Sequence, residues 1–529
     1  VRLALLTLLA TVGLVLFIAI VNVGALFVLR SEDRQPQMVI RAALGAPKAR
    51  LVRQMILESG LIAAASSLGA IAVAGVSLRF MKGLVPYQIP RLADVTIDGM
   101  ALTATAVAGV AIALVFGLAP ARRLPGGRWA RTVGRGRVTA SAGQRRLQGG
   151  VVAVQAGLCV VVLVGAALLS RSYAELRAVD TGFDARETWA MSIPGPLPTL
   201  MEIARDVRSL PNVQTAAITY DHPLERNWGD GFGIEGVERS PTDPPMSASL
   251  RPFGEAYFQT AGIQVVEGRV PDGLDMAGDV AYAVVNRTLA ETFFPGASPV
   301  GSRIILPTAQ RMLGMDGLFE VVGVVEDVRF LGPDQPVAPA LYVPLSHFPV
   351  SASTLLVRPT SADVPILESV RRVVAEHDAS LGVQTARQMG DVLGDLMARP
   401  RFNMMLLLTL GLIGLVLSGL GAYGLVSRTV AMRTREIGIR MALGADRPGL
   451  AKGVMATALR PMVLGGLVGL VGAFGLAGTI QSLLFGVSAL DPVSFAASPS
   501  FVLLVGALAA AIPTLRAISI DPVTSLREE

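Results

Sequence analysis

Arg440-Met441-Ala442-Leu443-Gly444-Ala445 occurs earlier in the same chain, with one change, as Arg41-Ala42-Ala43-Leu44-Gly45-Ala46. Each block is followed five residues later by a leucine, Leu450 or Leu51, and each lies between apolar stretches long enough to cross a bilayer. The constant offset of 399 positions marks the chain as a tandem repeat of one membrane module.

Composition points the same way. Hydrophobic residues make up 52% of the chain and charged residues only 16%, a balance foreign to a soluble protein of this size. A helix takes about 20 residues to cross roughly 30 Å of hydrocarbon. Seven charge-free stretches reach that length: 3–29, 59–78, 99–121, 147–170, 402–427, 461–490 and 492–515, the last two divided at Asp491-Pro492. Buried helices of a soluble protein would show a charged face at helical period, and these are apolar all round. A polytopic α-helical membrane protein of seven spans is therefore expected, with the lipid bilayer as its first partner.

The arginines set its orientation, because basic residues in short loops stay cytoplasmic. Residues 121–148 hold eight arginines and no acid, while 30–53 and 428–460 hold six and seven basic residues against two acids each. All three read as cytoplasmic. The segment 170–401 instead carries 19 basic and 29 acidic residues. The chain's overall charge of +6 thus belongs to the membrane part, which excludes a nucleic-acid-binding reading of it. Alternation puts 79–98, the 170–401 segment and the turn near 491 outside and the C-terminus inside. It also puts Val1 outside with no span before it, and the second copy has a leading span and an outer domain that the first lacks. Both are expected ahead of Val1 in the complete protein. The two copies run in the same direction, as parallel repeats about an axis along the membrane normal.

Within the outer segment, short valine-rich runs at 263–266, 283–286, 319–325, 341–343 and 355–357 predict strands. Residues 287–294 and 364–377 predict helices, the second with Ile366, Val370 and Val373 on one face. This is an α+β domain of one body or two lobes, with loops near 221–246 and 331–339. The chain's single cysteine, Cys159, lies in a span as a small buried hydrophobe, so no disulfide is expected.

A search for catalytic chemistry finds little. His222, His347 and His377 lack the i, i+4 spacing of a helical zinc site. Gly296-Ala297-Ser298-Pro299-Val300 begins like a nucleophile elbow but ends in valine where glycine is required. Lys48, Lys82 and Lys452 precede Ala, Gly and Gly, not the Ser or Thr of a phosphate-binding loop. The chain is read as neither an enzyme nor the holder of a cofactor or metal, and energy for any active process must come from another polypeptide. Two polar residues of the spans are read as structural, Asn22 in an interhelix hydrogen bond at the position matching Gly421, and Glu58 at the membrane interface.

The repeated block suggests where that energy enters. Glu436 stands i+3 from Arg433 and i−4 from Arg440, supporting a short helix with a charged face, and Ile437 and Met441 share another. Gly444 predicts a stop, Asp446 a cap, and Pro448 a first-turn position, so the pattern is helix, break, restart, repeated at Gly45 and Pro47. A short surface helix bent sharply at the base of a span is a lever for a soluble partner, or alternatively a helix whose arginines sit among lipid phosphates.

Tyr423-Gly424, the run from Arg433 to Ala445, and the terminal Asp521-Pro522-Val523 with Leu526-Arg527 resemble the permease domain of the MacB/FtsX/LolC superfamily of ABC transporters. Tyr257-Phe258, Gly262-Ile263, Glu267-Gly268-Arg269, Val285-Asn286, Pro299-Val300-Gly301, the run from Val322 to Val325 and Tyr342-Val343-Pro344 resemble that family's extracytoplasmic core domain. The resemblance covers nearly the whole chain and is closest to tandem-duplicated MacB-like permeases. It implies a first FtsX-like module at 1–123 with its coupling region at 30–53 and an Arg-rich linker at 124–148. A leading span at 149–170, a MacB-like core domain at 171–401 and a second module at 402–529 with its coupling region at 428–460 follow.

It also implies a multi-pass bacterial inner-membrane protein that works with a separate ABC ATPase subunit, with an extracytoplasmic adaptor or substrate protein as a further partner, in efflux of drugs, peptides or lipids. The residues implied in ATPase coupling are Arg435, Glu436, Arg440 and Gly444 in the second copy and Arg41, Leu44 and Gly45 in the first. The first copy departs from the pattern, since Gln37-Met38-Val39 stands where the second has Glu436-Ile437-Gly438. No clear equivalent of Asp521-Pro522-Val523 follows Pro120. A non-transporting scaffold or signalling protein that regulates an outer partner is the alternative reading.

Overall fold

The computed structural model describes residues 47–84, 98–118, 142–225, 229–238, 245–277, 280–313, 317–347, 354–361 and 365–519, with Gly13 and Thr96 singly. The chain divides into a helical unit, drawn from Val1–Glu175 and Ala398–Glu529, and a mixed unit, Leu176–Met397.

In the helical unit, α1 (Lys48–Leu84) begins directly after Pro47 and packs on α2 (Gly99–Leu118). The Asp98 carboxylate caps α2 by accepting from the Ala101 N–H at 2.8 Å. The long α3 (Ala142–Ala178) ends that half of the unit. Four helical segments among the described residues are long and apolar enough to cross a membrane: Gln148–Ala178, Ala398–Thr434, Arg447–Leu483 and Pro492–Ile518. Among the described residues, α1 and α2 also carry apolar stretches that include Ala64–Val76 and Gly99–Ala111. The expected span 3–29, with Asn22, lies outside the described residues.

The mixed unit is built on one twelve-stranded sheet. In chain order its elements are β1 (Trp189–Ser192), α4 (Leu197–Arg208), β2 (Val213–Thr219), β3 (Gly229–Gly231), β4 (Gly233–Ile234), β5 (Ser247–Phe253), α5 (Tyr257–Ala261) and β6 (Val265–Gly268). Then come α6 (Gly273–Ala277), β7 (Tyr282–Asn286), α7 (Arg287–Phe293), β8 (Arg303–Ile305), α8 (Pro307–Leu313), β9 (Leu318–Val325), β10 (Ala340–Pro344), β11 (Thr354–Pro359), α9 (Leu367–His377), β12 (Thr385–Gln388) and α10 (Met389–Leu396). The strand order β12-β1-β11-β2-β5-β10-β7-β9-β8-β4 hides a seam, because β2 and β5 share a single register pair, Thr219 with Phe253.

On one side of the seam, α4 and α9 cover the antiparallel strands with Leu200, Ile203, Val207, Val370 and Val374. Ile366, Val370 and Val373 are buried as their spacing predicts. On the other side, β5–β10 and β7–β9 pair in parallel. Asn286 holds that side together. Its side-chain oxygen accepts from Leu289 N–H at 3.0 Å, capping α7, and from Ala340 N–H at 2.8 Å, while its amide donates to Asp327 at 2.6 Å.

Beside the seam lies a buried ion pair. Arg251 donates to Asp221 at 2.5 Å and to the Glu225 carbonyl at 3.2 Å, with its guanidinium 3.7 Å above the Phe330 ring. Burial pushes the Asp221 carboxyl up to about 7 against the pull of Arg251.

The helical unit resumes with α11 (Ala398–Ala442), 45 residues without interruption, roughly 68 Å at 1.5 Å per residue. The short, separately bent surface helix expected at 433–442 is instead the end of α11. Glu436 pairs along the helix, and Ile437 is buried with Met441 packed beside it, so nothing stops the helix before Gly444. The helix α12 (Arg447–Ile480) runs into a single 3-10 turn, Gln481–Leu483, and α13 (Pro492–Ile518) follows. The apolar stretch expected as a span to 490 thus leaves the helix at 484. Residues 484–491 form a loop, and Asp491 caps α13 by accepting from Ser494 N–H at 2.8 Å.

Close backbone approach joins α3 to α12. A Cβ on Gly157 would fall 2.7 Å from the Gly465 carbonyl oxygen, and one on Gly465 or Gly469 would overlap the carbonyls of Ala153 and Gly157. Small residues at such crossings replace the hydrophobic effect, which hydrocarbon does not supply.

Two outcomes follow for the mixed unit. Asp221→Ala strands a buried guanidinium and is expected to cost about 3–5 kcal/mol, whereas Asp221→Leu with Arg251→Met costs far less; urea unfolding followed by tryptophan fluorescence measures both. Because the folded-state Asp221 pKa is raised, the folded form binds the proton more tightly. This group therefore favours folding increasingly as pH falls from about 7 toward the ordinary carboxylate range, and Asp221→Asn should remove that contribution.

Candidate coupling site

The break between α11 and α12 is only four residues long, Leu443 to Asp446. Its geometry is a Schellman stop: Ala445 N–H donates to the Arg440 carbonyl at 2.9 Å and Gly444 N–H to that of Met441 at 3.0 Å. Gly444 sits at φ +86°, a left-handed conformation that side chains with a Cβ resist. On the far side the Asp446 carboxylate accepts from Gly449 N–H at 3.2 Å, and Pro448 occupies the first turn of α12. Both helix ends are thus satisfied by their own sequence, and the chain reverses with little freedom.

The charged groups line the last turns of α11. Glu436 lies 2.6 Å from Arg440 and 3.9 Å from Arg433, so a single carboxylate sits between two guanidiniums on one half-exposed face. Exposed ion pairs of this kind contribute only about 0.3–0.5 kcal/mol each. Arg435 is on the same helix, and its side chain lies outside the described residues, as do Arg41, Leu44 and Gly45 entirely. In the first copy, α1 starts at Lys48, the position matching the first residue of α12, Arg447.

One residue of this site escaped the sequence reading. Leu443 is 82% exposed at the tip, and Ile439, one turn back, is 41% exposed. An apolar pair projecting from a charged helix end is what a protein partner can bury. The available signal was the repeat itself, which keeps leucine before glycine in both copies.

Elsewhere the three histidines are separate. His377 bridges α9 to α4 by bonding Asp206 at 2.8 Å, and His222 accepts from Leu224 N–H at 3.2 Å. Ser298 bonds Glu267 at 2.5 Å in a turn. Among the described residues, no group of three or more His, Cys, Asp or Glu side chains is placed to hold a metal ion.

The model of the FtsX-like permease C-terminal family matches the chain twice, at residues 9–125 and 408–522, and that of the MacB-like periplasmic core domain matches 150–372. Among curated proteins, the macrolide export ATP-binding/permease protein MacB of Marinobacter nauticus is 29% identical over 279 residues, 50% of this chain and 41% of its own length. Its namesake from Bdellovibrio bacteriovorus is 28% identical over 325 residues, 59% of this chain and 45% of its own. The chain therefore spans less than half the length of these relatives. A crystal structure of the periplasmic region of MacB from Actinobacillus actinomycetemcomitans aligns with 42% of this chain and 95% of its own at 16% identity, with a TM-score of 0.28 that adds nothing to the assignment. Two permease matches flanking a core-domain match leave one conclusion: the chain belongs to the MacB/FtsX family of ABC transporter permeases, bacterial inner-membrane proteins with a large extracytoplasmic domain.

Proposed function

We propose that this chain is the permease subunit through which a separate ABC ATPase moves an extracytoplasmic domain to export or extract a substrate. The observation that carries the reading is the capped reversal between α11 and α12. It presents Glu436, Arg440 and exposed Leu443 at the junction of two long helices. Force applied there acts on two rods at once.

In this proposal Arg435, Glu436, Arg440 and Gly444 form the second coupling element and Arg41, Leu44 and Gly45 the first. The modules are 1–123 and 402–529, joined by the linker 124–148 and the leading span 149–170, with 171–401 outside. There are seven spans and the C-terminus is cytoplasmic. Arginine placement in the loops supports the orientation. The curated relatives are macrolide exporters by name, and the substrate class proposed here is drugs, peptides or lipids, with an extracytoplasmic adaptor or substrate protein as further partner. A non-transporting scaffold remains the second reading, favoured by Gln37 in place of the acid of the second copy.

Purification of the tagged full-length protein in mild detergent tests the choice. An ABC ATPase should accompany the wild type and fall at least about tenfold with Glu436→Arg or Leu443→Asp, the loss expected when a buried interface anchor is charged. Recovery of no ATPase with the wild type would sink the transporter reading in favour of the scaffold. Gly444→Val is expected to strain the reversal by about 1–2 kcal/mol, whereas Gly444→Asn is tolerated; the two thermal midpoints should separate accordingly.

A further inference from the structure

Two side chains at the far end of α3 have no role in the coupling reading. Ser172, buried, accepts from the Phe485 N–H at 2.7 Å. Arg171, one residue before it, forms an ion pair with Asp491. Both partners belong to the 484–491 loop, the reversal between α12 and α13. This loop therefore does more than connect helices, since it is fastened to α3 at its first turn and again at its last residue.

Asp491 has two functions in this arrangement. One carboxylate oxygen caps α13 through Ser494 N–H, and the other receives Arg171. Hydrogen bonding from Ser494, with Arg171 adding to it, holds the Asp491 carboxyl below the usual carboxylate range, so it carries its charge throughout the neutral range. The ion pair is half-shielded, with the Asp491 side chain 10% exposed and that of Arg171 42% exposed.

Deeper in the bundle the same two helices touch again. Gly157 of α3 and Gly465 and Gly469 of α12 bring the two backbones into contact that no Cβ would allow. The first junction stops α3 and α12 from separating. The second, at the loop, stops α3 from sliding along its axis or turning, because a hydrogen bond and an ion pair fix both height and azimuth. At its other end α12 begins at the Asp446 cap, immediately after the Gly444 reversal. Its 34 residues span roughly 51 Å at 1.5 Å per residue. Beyond Arg171, α3 continues as helix to Ala178, the stretch that leads the chain out of the helical unit.

We propose that Arg171, Ser172 and Asp491 are positioning residues that clamp α3 to the 484–491 loop, so that α3 and α12 move as one lever between the coupling reversal and the start of the extracytoplasmic domain. The use of the lever rests on the coupling reading, whereas the clamp itself does not. Without the clamp, displacement of α12 would be taken up by slippage at the loop and would not reach residue 178.

Hydrogen exchange followed by mass spectrometry on the full chain in lipid nanodiscs tests the clamp with no ATPase present. Asp491→Asn keeps the α13 cap, because asparagine caps as well as aspartate, and removes the ion pair; Ser172→Ala removes the acceptor for Phe485. Each is expected to raise exchange roughly tenfold across both 171–178 and 484–490, as local opening replaces a closed unit. Exchange in α13 and in the middle of α12 should stay at the wild-type level, and Arg171→Lys should keep most of the protection that Arg171→Gln loses. Exchange in 171–178 unchanged within about twofold, or rising equally in every span, would overturn the proposal. A clamp that behaves as expected while Glu436→Arg retains a bound ATPase would instead remove the coupling reading alone.

Discussion

A peptide group in hydrocarbon has no water to bond, so a helix that enters the membrane has to satisfy its own backbone until it leaves. The form of the helical unit follows from that constraint. Once begun at Ala398, α11 runs for 45 residues, and it ends only where the sequence supplies a Schellman stop at Gly444 and, two positions later, an aspartate cap. The reversal at 484–491 obeys the same rule, its ends closed by Ser172 and Ser494. Breaks in this unit are thus built features, each with named donors and acceptors.

The same absence of water changes what packs the helices. In the extracytoplasmic domain, burial of Leu200, Ile203, Val370, Leu355 and their neighbours supplies the driving force. Between α3 and α12 the gain comes from contact distance, which is why glycines stand at the crossing. Where α3 meets α11 the choice is different. Gln155, fully buried, lies against Gly421, and neither amide atom has a partner among the described residues. Gly421 is the position that the repeat fills with Asn22.

Sequence periodicity revealed those elements whose burial is one-sided or complete and whose ends are marked. The strands β7, β9, β10 and β11 and the helix α7 fall within a residue or two of their expected limits, and α9 starts three residues after its expected start, because valine-rich runs ended by Asn286 or Pro344 carry both type and boundary. Missing from that reading were β1, β2, β3, β4, β5, β8 and β12. The sequence of β2, Val-Gln-Thr-Ala-Ala-Ile-Thr, is almost wholly buried yet rich in alanine and threonine, and its identity as a strand comes from neighbours on both sides. Nor could periodicity show that a short charged segment continues a 45-residue helix, since a helix end at the water interface and a separate surface helix share one pattern. The seam at Thr219–Phe253 was open to the extent that two lobes were one of the expectations.

The inequality of the two repeats is best judged by what each difference costs. An exposed carboxylate between two arginines stabilises a helix by a few tenths of a kcal/mol, while the left-handed glycine and the restart after it decide whether the chain reverses at all. The first copy keeps the leucine, the glycine and the restart, with α1 opening at Lys48 as α12 opens at Arg447. It has Pro47 in place of the capping Asp446, Pro36 in place of Arg435, and Gln37 in place of the acid Glu436. A residue that matters so little to folding is retained or lost for what it presents to other molecules. The duplicated block thus keeps its leucine–glycine pair in both copies and varies the charged residues around it.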